Sequence, residues 1–226
     1  MNRLVSWFCK IFIAPIVKLL FIKRVKGWEN IPKTNFILAS NHESHLDWII
    51  DGYICVPRRF HFIGQTDQYG GLIKLSLYVM YFLAGVIRLN RKSKESKKKM
   101  FEEAIKSLKM GDCLIIYPEG TRTRTGRIGK GRYGVARMVL ESGKPILPMA
   151  IKGTFELLPP KSRPKANKIK RIVEINIGKP LYFNNEYEKA KSLDNDSEQY
   201  KLLLSEITSK MMDKIIFLRS ELDSGK

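Results

Sequence analysis

Cysteine is scarce in this chain: three residues in 226 positions, Cys9, Cys55 and Cys113, far apart and odd in number. They form neither a disulfide framework nor a CxxC metal pair, which fits a reducing compartment. Histidine is equally scarce, with three copies, His42, His45 and His61. The first two are spaced H-x-x-H rather than the H-E-x-x-H of zinc proteases, and no later Cys/His pair completes a tetrahedral set, so no bound metal is expected. A G-x-S-x-G elbow is missing, which weakens a serine hydrolase, and a G-x-x-x-x-G-K-[ST] loop is missing, which argues against a P-loop nucleotide site. Acid is short relative to base, 22 Asp and Glu against 41 Lys and Arg, a formal charge of +19. Such a surface draws anions, and nucleic acid, an anionic membrane or acidic substrates would each satisfy it. No internal repeat or low-complexity linker divides the chain, whose 44% hydrophobic content can fill the core of one sizeable domain.

Long apolar runs free of charge are also lacking. Residues 4 to 22 are long enough to cross a bilayer, yet they contain Lys10, Lys18 and Pro15. A lysine near mid-bilayer costs roughly 2.5–3.5 kcal/mol on insertion scales. Placed at about 100° per residue, Arg3, Ser6, Lys10 and Lys18 share one side, with Trp7, Phe8, Phe12, Leu19 and Phe21 around the rest. The pattern predicts an amphipathic helical segment over residues 1–26 lying in a membrane interface, its lysines toward lipid phosphates, ahead of a domain over 27–226. A buried core helix and a true span are the alternatives. No small-residue cleavage site precedes Lys23, Arg24 and Lys26, so the segment reads as retained.

Beyond Gly27, strand-like and helix-like stretches alternate. Strands are expected at 35–40 (NFILAS), 59–64, 86–91, 113–117, 145–153 and 169–178, the last half-exposed. Helices are expected after NHESHLD, over the apolar 71–85, before Gly111, over 133–143 with Gly143 as C-cap, and from Ser197 onward. Alternation of this kind predicts an α/β domain with a central, largely parallel or mixed sheet flanked by helices.

Three short blocks carry possible chemistry. In NHESHLD (41–47), His42 and Asp47 would not meet within a helix. They would meet if His42 lies in a strand-to-helix turn and Asp47 in the first helical turn, because helical side chains lean toward the N-terminus. The aspartate would then fix the imidazole tautomer and leave the other ring nitrogen as a base. A plain helix cap with surface histidines is the bland alternative, and His45 fits it; His61, inside an apolar strand, reads as a core histidine. In YPEGTRTRTGRIGKGRYG (117–134), a buried strand delivers Glu119 and Arg122 to the sheet's carboxyl end, followed by Arg124, Arg127, Lys130 and Arg132 with no acid among them. Its glycines let backbone N–H groups approach an anion, and a phosphate is the natural guest; a solvated or nucleic-acid-binding basic loop is the alternative. In GVIRLNR (85–91), Arg91 closes a strand near the same space.

Together these blocks resemble the glycerolipid acyltransferase family, which includes bacterial 1-acylglycerol-3-phosphate acyltransferases. Asn41, His42 and Asp47 match its NHxxxxD signature, Gly85 to Arg91 its second block, Tyr117 to Arg122 its aromatic-PEGTR block, and Ile146 to Ala150 its proline-centred fourth block. The resemblance covers roughly residues 25–180. It implies that His42 and Asp47 are catalytic, that Arg91, Glu119, Gly120, Thr121 and Arg122 bind the acceptor, and that Pro148 lines the acyl or donor site. The implied reaction moves an acyl group from acyl-CoA or an acyl carrier protein to the free hydroxyl of 1-acyl-sn-glycerol-3-phosphate, giving phosphatidic acid, with no cofactor beyond that co-substrate. Anionic membrane lipids would be partners, nucleic acid would not, and the site of action would be the cytoplasmic face of the cell membrane, peripherally. Another lyso-lipid or polar acceptor, or a non-enzymatic binder of anions, are the competing readings. Asn90 stands where the family often has aspartate, Arg88 interrupts the second block, and residues 64–71 lack the family's lysine-rich pattern.

Overall fold

β2 (Ile37–Ser40, ILAS) and β5 (Cys113–Ile116, CLII) are short apolar runs without alternation, the pattern of strands covered on both faces. In the computed structural model of the chain, which describes residues 3–65, 85–160 and 169–225, both lie at the centre of a seven-stranded sheet. The other strands are β1 (Ile22–Lys26), β3 (Phe60–Gln65), β4 (Val86–Leu89), β6 (Ile146–Lys152) and β7 (Val173–Ile177). The order is β1-β7-β6-β2-β5-β3-β4. The five strands from β6 to β4 are parallel; β7 runs antiparallel to β6, and β1 parallel to β7. The sheet is therefore mixed, as the alternation of elements predicts.

Alternate residues of each strand face opposite layers. Ile37 and Ala39 look toward α4 (Lys94–Lys109), α5 (Gly134–Ser142) and α8 (Glu198–Asp223), while Phe36 and Leu38 look toward α2 (Ala14–Leu20) and α3 (Asp47–Cys55). The periodic apolar side of α8 is buried as its spacing requires, from Tyr200 through Ile207 and Met211 to Leu222, and the Ser197 hydroxyl caps it by accepting from the Tyr200 N–H. Gly143 closes α5 in the left-handed conformation, with φ of +66°. Short α6 (Thr154–Leu157) and α7 (Asn184–Ala190) complete the described helices. The helix expected over 71–85 lies outside the described residues, except for Gly85.

The N-terminal stretch is helical as far as Leu20. It comprises α1 (Arg3–Phe8), a π-helical turn (Cys9–Ile13) and α2, with Pro15 just inside α2. Ile22–Lys26, which the sequence pattern groups with that segment, instead forms the edge strand β1. Arg24 and Lys23 clasp Glu174 of β7 there, the Arg24 Nη2 donating at 2.6 Å. The polar side differs from the expectation as well. Ser6 is buried and donates to the Arg58 carbonyl at 2.6 Å, and the Lys10 ammonium sits over the Trp28 ring, while Arg3 and Lys18 stay exposed. What faces outward is Leu4, Trp7, Phe8, Ile11, Phe12, Ile16 and Leu19, each between 48% and 78% exposed. Among the described residues no helix is long and apolar enough to cross a membrane.

Candidate active site

The parallel strands β2, β4, β5 and β6 end on the same rim, the edge where α/β sheets hold ligands. β2 stops at Ser40 and α3 starts at Asp47, so the residues between form an irregular turn. From the first turn of α3, Asp47 leans back and its Oδ2 accepts from His42 Nδ1 at 2.8 Å. The same oxygen accepts from the Glu43 and Ser44 N–H groups at 2.7 and 2.8 Å, so the carboxylate organises the whole turn. Asp47 is fully buried, whereas the His42 side chain retains 18% exposure. With Nδ1 donating to a carboxylate, the neutral ring carries its lone pair on Nε2.

The imidazole is fixed from other directions too. Tyr117, at the end of β5, stacks flat against it, with centroids 3.7 Å apart and planes 6° apart. The Tyr117 hydroxyl donates at 2.6 Å to Asp51, a buried carboxyl one helical turn beyond Asp47 that also accepts from Ser40 Oγ. Burial raises Asp51 well above the usual carboxylate range, against the lowering effect of those hydrogen bonds, and burial likewise raises the Tyr117 phenol. His42 N–H donates to Glu119 Oε1 at 2.9 Å, and its carbonyl accepts from the Thr123 N–H at 2.8 Å.

Glu119 joins two loops. While Oε1 holds the 41–47 turn, Oε2 accepts from the Gly129 N–H at 2.7 Å, and burial pushes its carboxyl upward. A Cβ at residue 129 would stand 3.1 Å from Oε2, so glycine permits that approach. Both oxygens of Glu119 are thus spent on backbone donors, and its place in the structure is that of a clamp. Gly120, at φ +67°, bends the chain, and its carbonyl accepts from Arg91 Nη2 at 2.5 Å. Arg91 and the 117–122 block, distant in sequence, therefore meet. Arg122 Nη1 contacts His45 Nε2, and desolvation followed by the neighbouring Arg122 and His42 charges holds His45 below the ordinary imidazole range. His45 is exposed, as expected of a surface histidine, and neighbours Arg122. Thr121 is exposed on the same loop.

Pro148 lies elsewhere: it is buried mid-strand in β6, paired with Ala39, and its carbonyl accepts from the Gly178 N–H at 2.8 Å. Asn90 turns onto its own loop, accepting from the Lys92 N–H at 3.0 Å while its N–H donates to Ser96 Oγ at 2.9 Å. His61 is half-buried, its ring between the Gly85 carbonyl and Asp112, away from the rim at the start of β5. Among the described residues no group of three or more His, Cys, Asp or Glu side chains is placed to hold a metal. Two groups have parts in the structure that the motifs did not assign them. Tyr117 supplies the face of the imidazole, and Glu43 is buried beside Asp47 with Arg219 of α8 against it. The aromatic before PEG was the available signal for the first; nothing local signals the second.

The structure thus brings buried Asp47 and partly exposed His42 together at the carboxyl rim of an α/β sheet, beside the loop on which Arg91 and Arg122 meet. The family model described as Acyltransferase matches residues 23–152, more than half of the chain. The chain belongs to that acyltransferase family. The 1-acyl-sn-glycerol-3-phosphate acyltransferase of Borreliella burgdorferi is 34% identical over 131 residues, 58% of this chain and 51% of that protein. The chloroplastic 1-acyl-sn-glycerol-3-phosphate acyltransferase LPAT1 of Arabidopsis thaliana is 29% identical over 174 residues, 76% of this chain and 46% of that protein. The chain spans about half the length of these relatives. The solved 1-acyl-sn-glycerophosphate acyltransferase PlsC of Thermotoga maritima shares the fold, with a TM-score of 0.59 at 24% identity, over 94% of this chain and 78% of that one.

Proposed function

We propose that the chain transfers a fatty acyl group from a thioester donor, acyl-CoA or acyl carrier protein, to the free hydroxyl of 1-acyl-sn-glycerol-3-phosphate, forming phosphatidic acid at a membrane surface. The observation that carries this reading is the 2.8 Å His42–Asp47 bond, which leaves Nε2 as the basic atom at the rim. His42 Nε2 takes the proton of the acceptor hydroxyl as its oxygen bonds to the thioester carbonyl carbon. Asp47 steadies the imidazolium so formed. The tetrahedral intermediate then collapses, the carbon–sulfur bond breaks, and the departing thiolate leaves with the proton from His42. The product is the new ester and a free thiol, and no covalent acyl-enzyme is needed.

Arg122 and Arg91 would attract the acceptor's phosphate, with Gly120 and Thr121 shaping the loop between them and Glu119 holding that loop to the base. The exposed apolar face of α1 and α2 would seat the protein on the lipid that contains the acceptor. Complete burial of one such side chain yields roughly 1.5–3 kcal/mol, so even partial burial of seven exceeds the cost of surface attachment. The charge of +19 favours anionic lipid headgroups and an anionic donor. On this reading the protein works peripherally, on the cytoplasmic face where such donors are made.

Turnover of labelled acyl donor with a panel of lyso-acceptors tests the reading. The parent should acylate 1-acyl-sn-glycerol-3-phosphate, His42→Ala should lose turnover while retaining acceptor binding, and Arg122→Ala should raise the KM for the acceptor. Equal rates in all three would remove the assignment.

A further inference from the structure

We propose that Arg219, near the end of α8, is a positioning residue that holds the catalytic turn through Glu43. The inference rests on the acyl-transfer reading for its activity assay. Glu43 follows His42 directly, is only 2% exposed, and donates its N–H to the Asp47 oxygen that also binds the imidazole. Its Oε1 accepts from Asn41 Nδ2 at 3.1 Å and from Arg219 Nη1, a contact between residues 176 positions apart. Arg219 Nη1 also donates at 3.2 Å to the Ile151 carbonyl, which accepts from Asn41 Nδ2 at 2.9 Å, while Asn41 Oδ1 receives the Ile151 N–H at 2.8 Å.

One guanidinium thus ties both flanks of His42 to the end of β6. The last turns of α8 are fastened there as well, through Lys152 to Asp223 at 3.1 Å and to the Leu222 carbonyl at 3.1 Å. The charged groups facing Glu43 are Arg219 from α8, Asp47 from α3 and Glu156 from α6. An ion pair this deep adds little net stability over an apolar pair, so its value lies in geometry. Removing either partner loosens one of the turn's fastenings, and a displacement near 1 Å at a reacting group is enough to cost about 10²-fold in rate. Burial raises the Glu43 carboxyl to about 7, against the lowering by Arg219, so acidification releases the same brace.

The test uses the full chain with 1-acyl-sn-glycerol-3-phosphate in phosphatidylglycerol vesicles and acyl-CoA, comparing the parent with Glu43→Gln, Arg219→Gln, Arg219→Lys and the double Gln variant. Each single Gln variant should lower kcat roughly ten- to hundredfold with both KM values within about twofold, and the double should be no slower than the slower single. Arg219→Lys should recover part of the rate, and the acid limb of kcat should lose one step in Glu43→Gln. A single Gln variant with parental kcat, multiplicative losses in the double, or an unchanged acid limb would overturn the proposal. If Arg219→Gln does not fold, Glu43→Gln and the two pH profiles decide. A parent without transfer activity overturns the functional reading alone. The NMR tautomer of the His42 ring then tests the brace, lost Nδ1–H character in Glu43→Gln supporting it and an unaltered ring overturning it.

Discussion

In the 41–47 turn, polar side chains are buried and bonded: Asn41, Glu43, Ser44 and Asp47 each have 2% exposure or less. In residues 3–20 several apolar side chains do the opposite, and Leu4, Trp7, Phe8, Phe12 and Leu19 stand out of the protein while Ser6 is buried. Buried polar groups are costly unless satisfied, and a large exposed apolar face is costly unless something covers it. The turn meets most of its cost internally, through Asp47, Glu119, Asn41 and Arg219, although Glu43 Oε2 and Asp47 Oδ1 are buried without a hydrogen-bond partner. The N-terminal face has no such internal answer among the described residues, and a lipid surface would supply one on the proposed reading. The difference separates what the protein must keep rigid from what it leaves for its surroundings.

The sharpest way to break the comparison is at the turn. His42→Ala should lower kcat by roughly 10²- to 10⁴-fold in single-turnover assays while the fold, followed by circular dichroism, stays intact. Glu119→Ala should come next, because it strands two backbone N–H donors. Roughly 2–4 kcal/mol of unfolding free energy should be lost in urea titrations, together with most of the activity. On the outward face, Phe8→Ser with Phe12→Ser and Ile16→Ser should release the protein from anionic vesicles in flotation experiments. Transfer to a detergent-dispersed acceptor should change by less than about threefold, since the rim is untouched. Release without loss on dispersed acceptor would sharpen the contrast; loss of both would erase it.

A smaller effect follows from Glu43. Its carboxyl is raised in the fold from 4.5 to about 7, so the folded state binds the proton more tightly than the unfolded chain. The stabilisation is therefore complete below pH 4.5 and lost as pH rises through 7. Between those limits the parent should lose about 3 kcal/mol relative to Glu43→Gln, as measured by paired denaturant titrations across pH. The variant is expected to lose this pH dependence while leaving Arg219 without its carboxylate partner.

The central sheet was readable in the sequence because local pattern dictates it. NFILAS and CLIIY have no alternation and flank turn residues, and both are central strands. The five-residue offset of Asp47 from His42 likewise reveals its geometry once a strand is seen to end at Ser40. β1 was hidden because Ile22–Lys26, IKRVK, carries three basic residues, and its place depends on Glu174 of β7 some 150 positions away. The inward turn of Ser6 and Lys10 was hidden for the same kind of reason: helical spacing groups side chains but does not say which group meets the protein. Arg219 lies furthest from local logic, since its role exists only after β6 and α8 have packed together.

Only Phe21 separates the last residue of α2 from the first of β1, and its carbonyl accepts from the Val173 N–H at 2.8 Å. There is consequently no tether between the outward apolar helices and the sheet. If those helices seat on a lipid leaflet as proposed, the rim carrying His42 would inherit their height and tilt at once, as a blade inherits the set of its handle. On that reading acceptors would have to come up to a reaction centre of fixed elevation, and the depth of their hydroxyl in the leaflet would become a selection rule written into one short join.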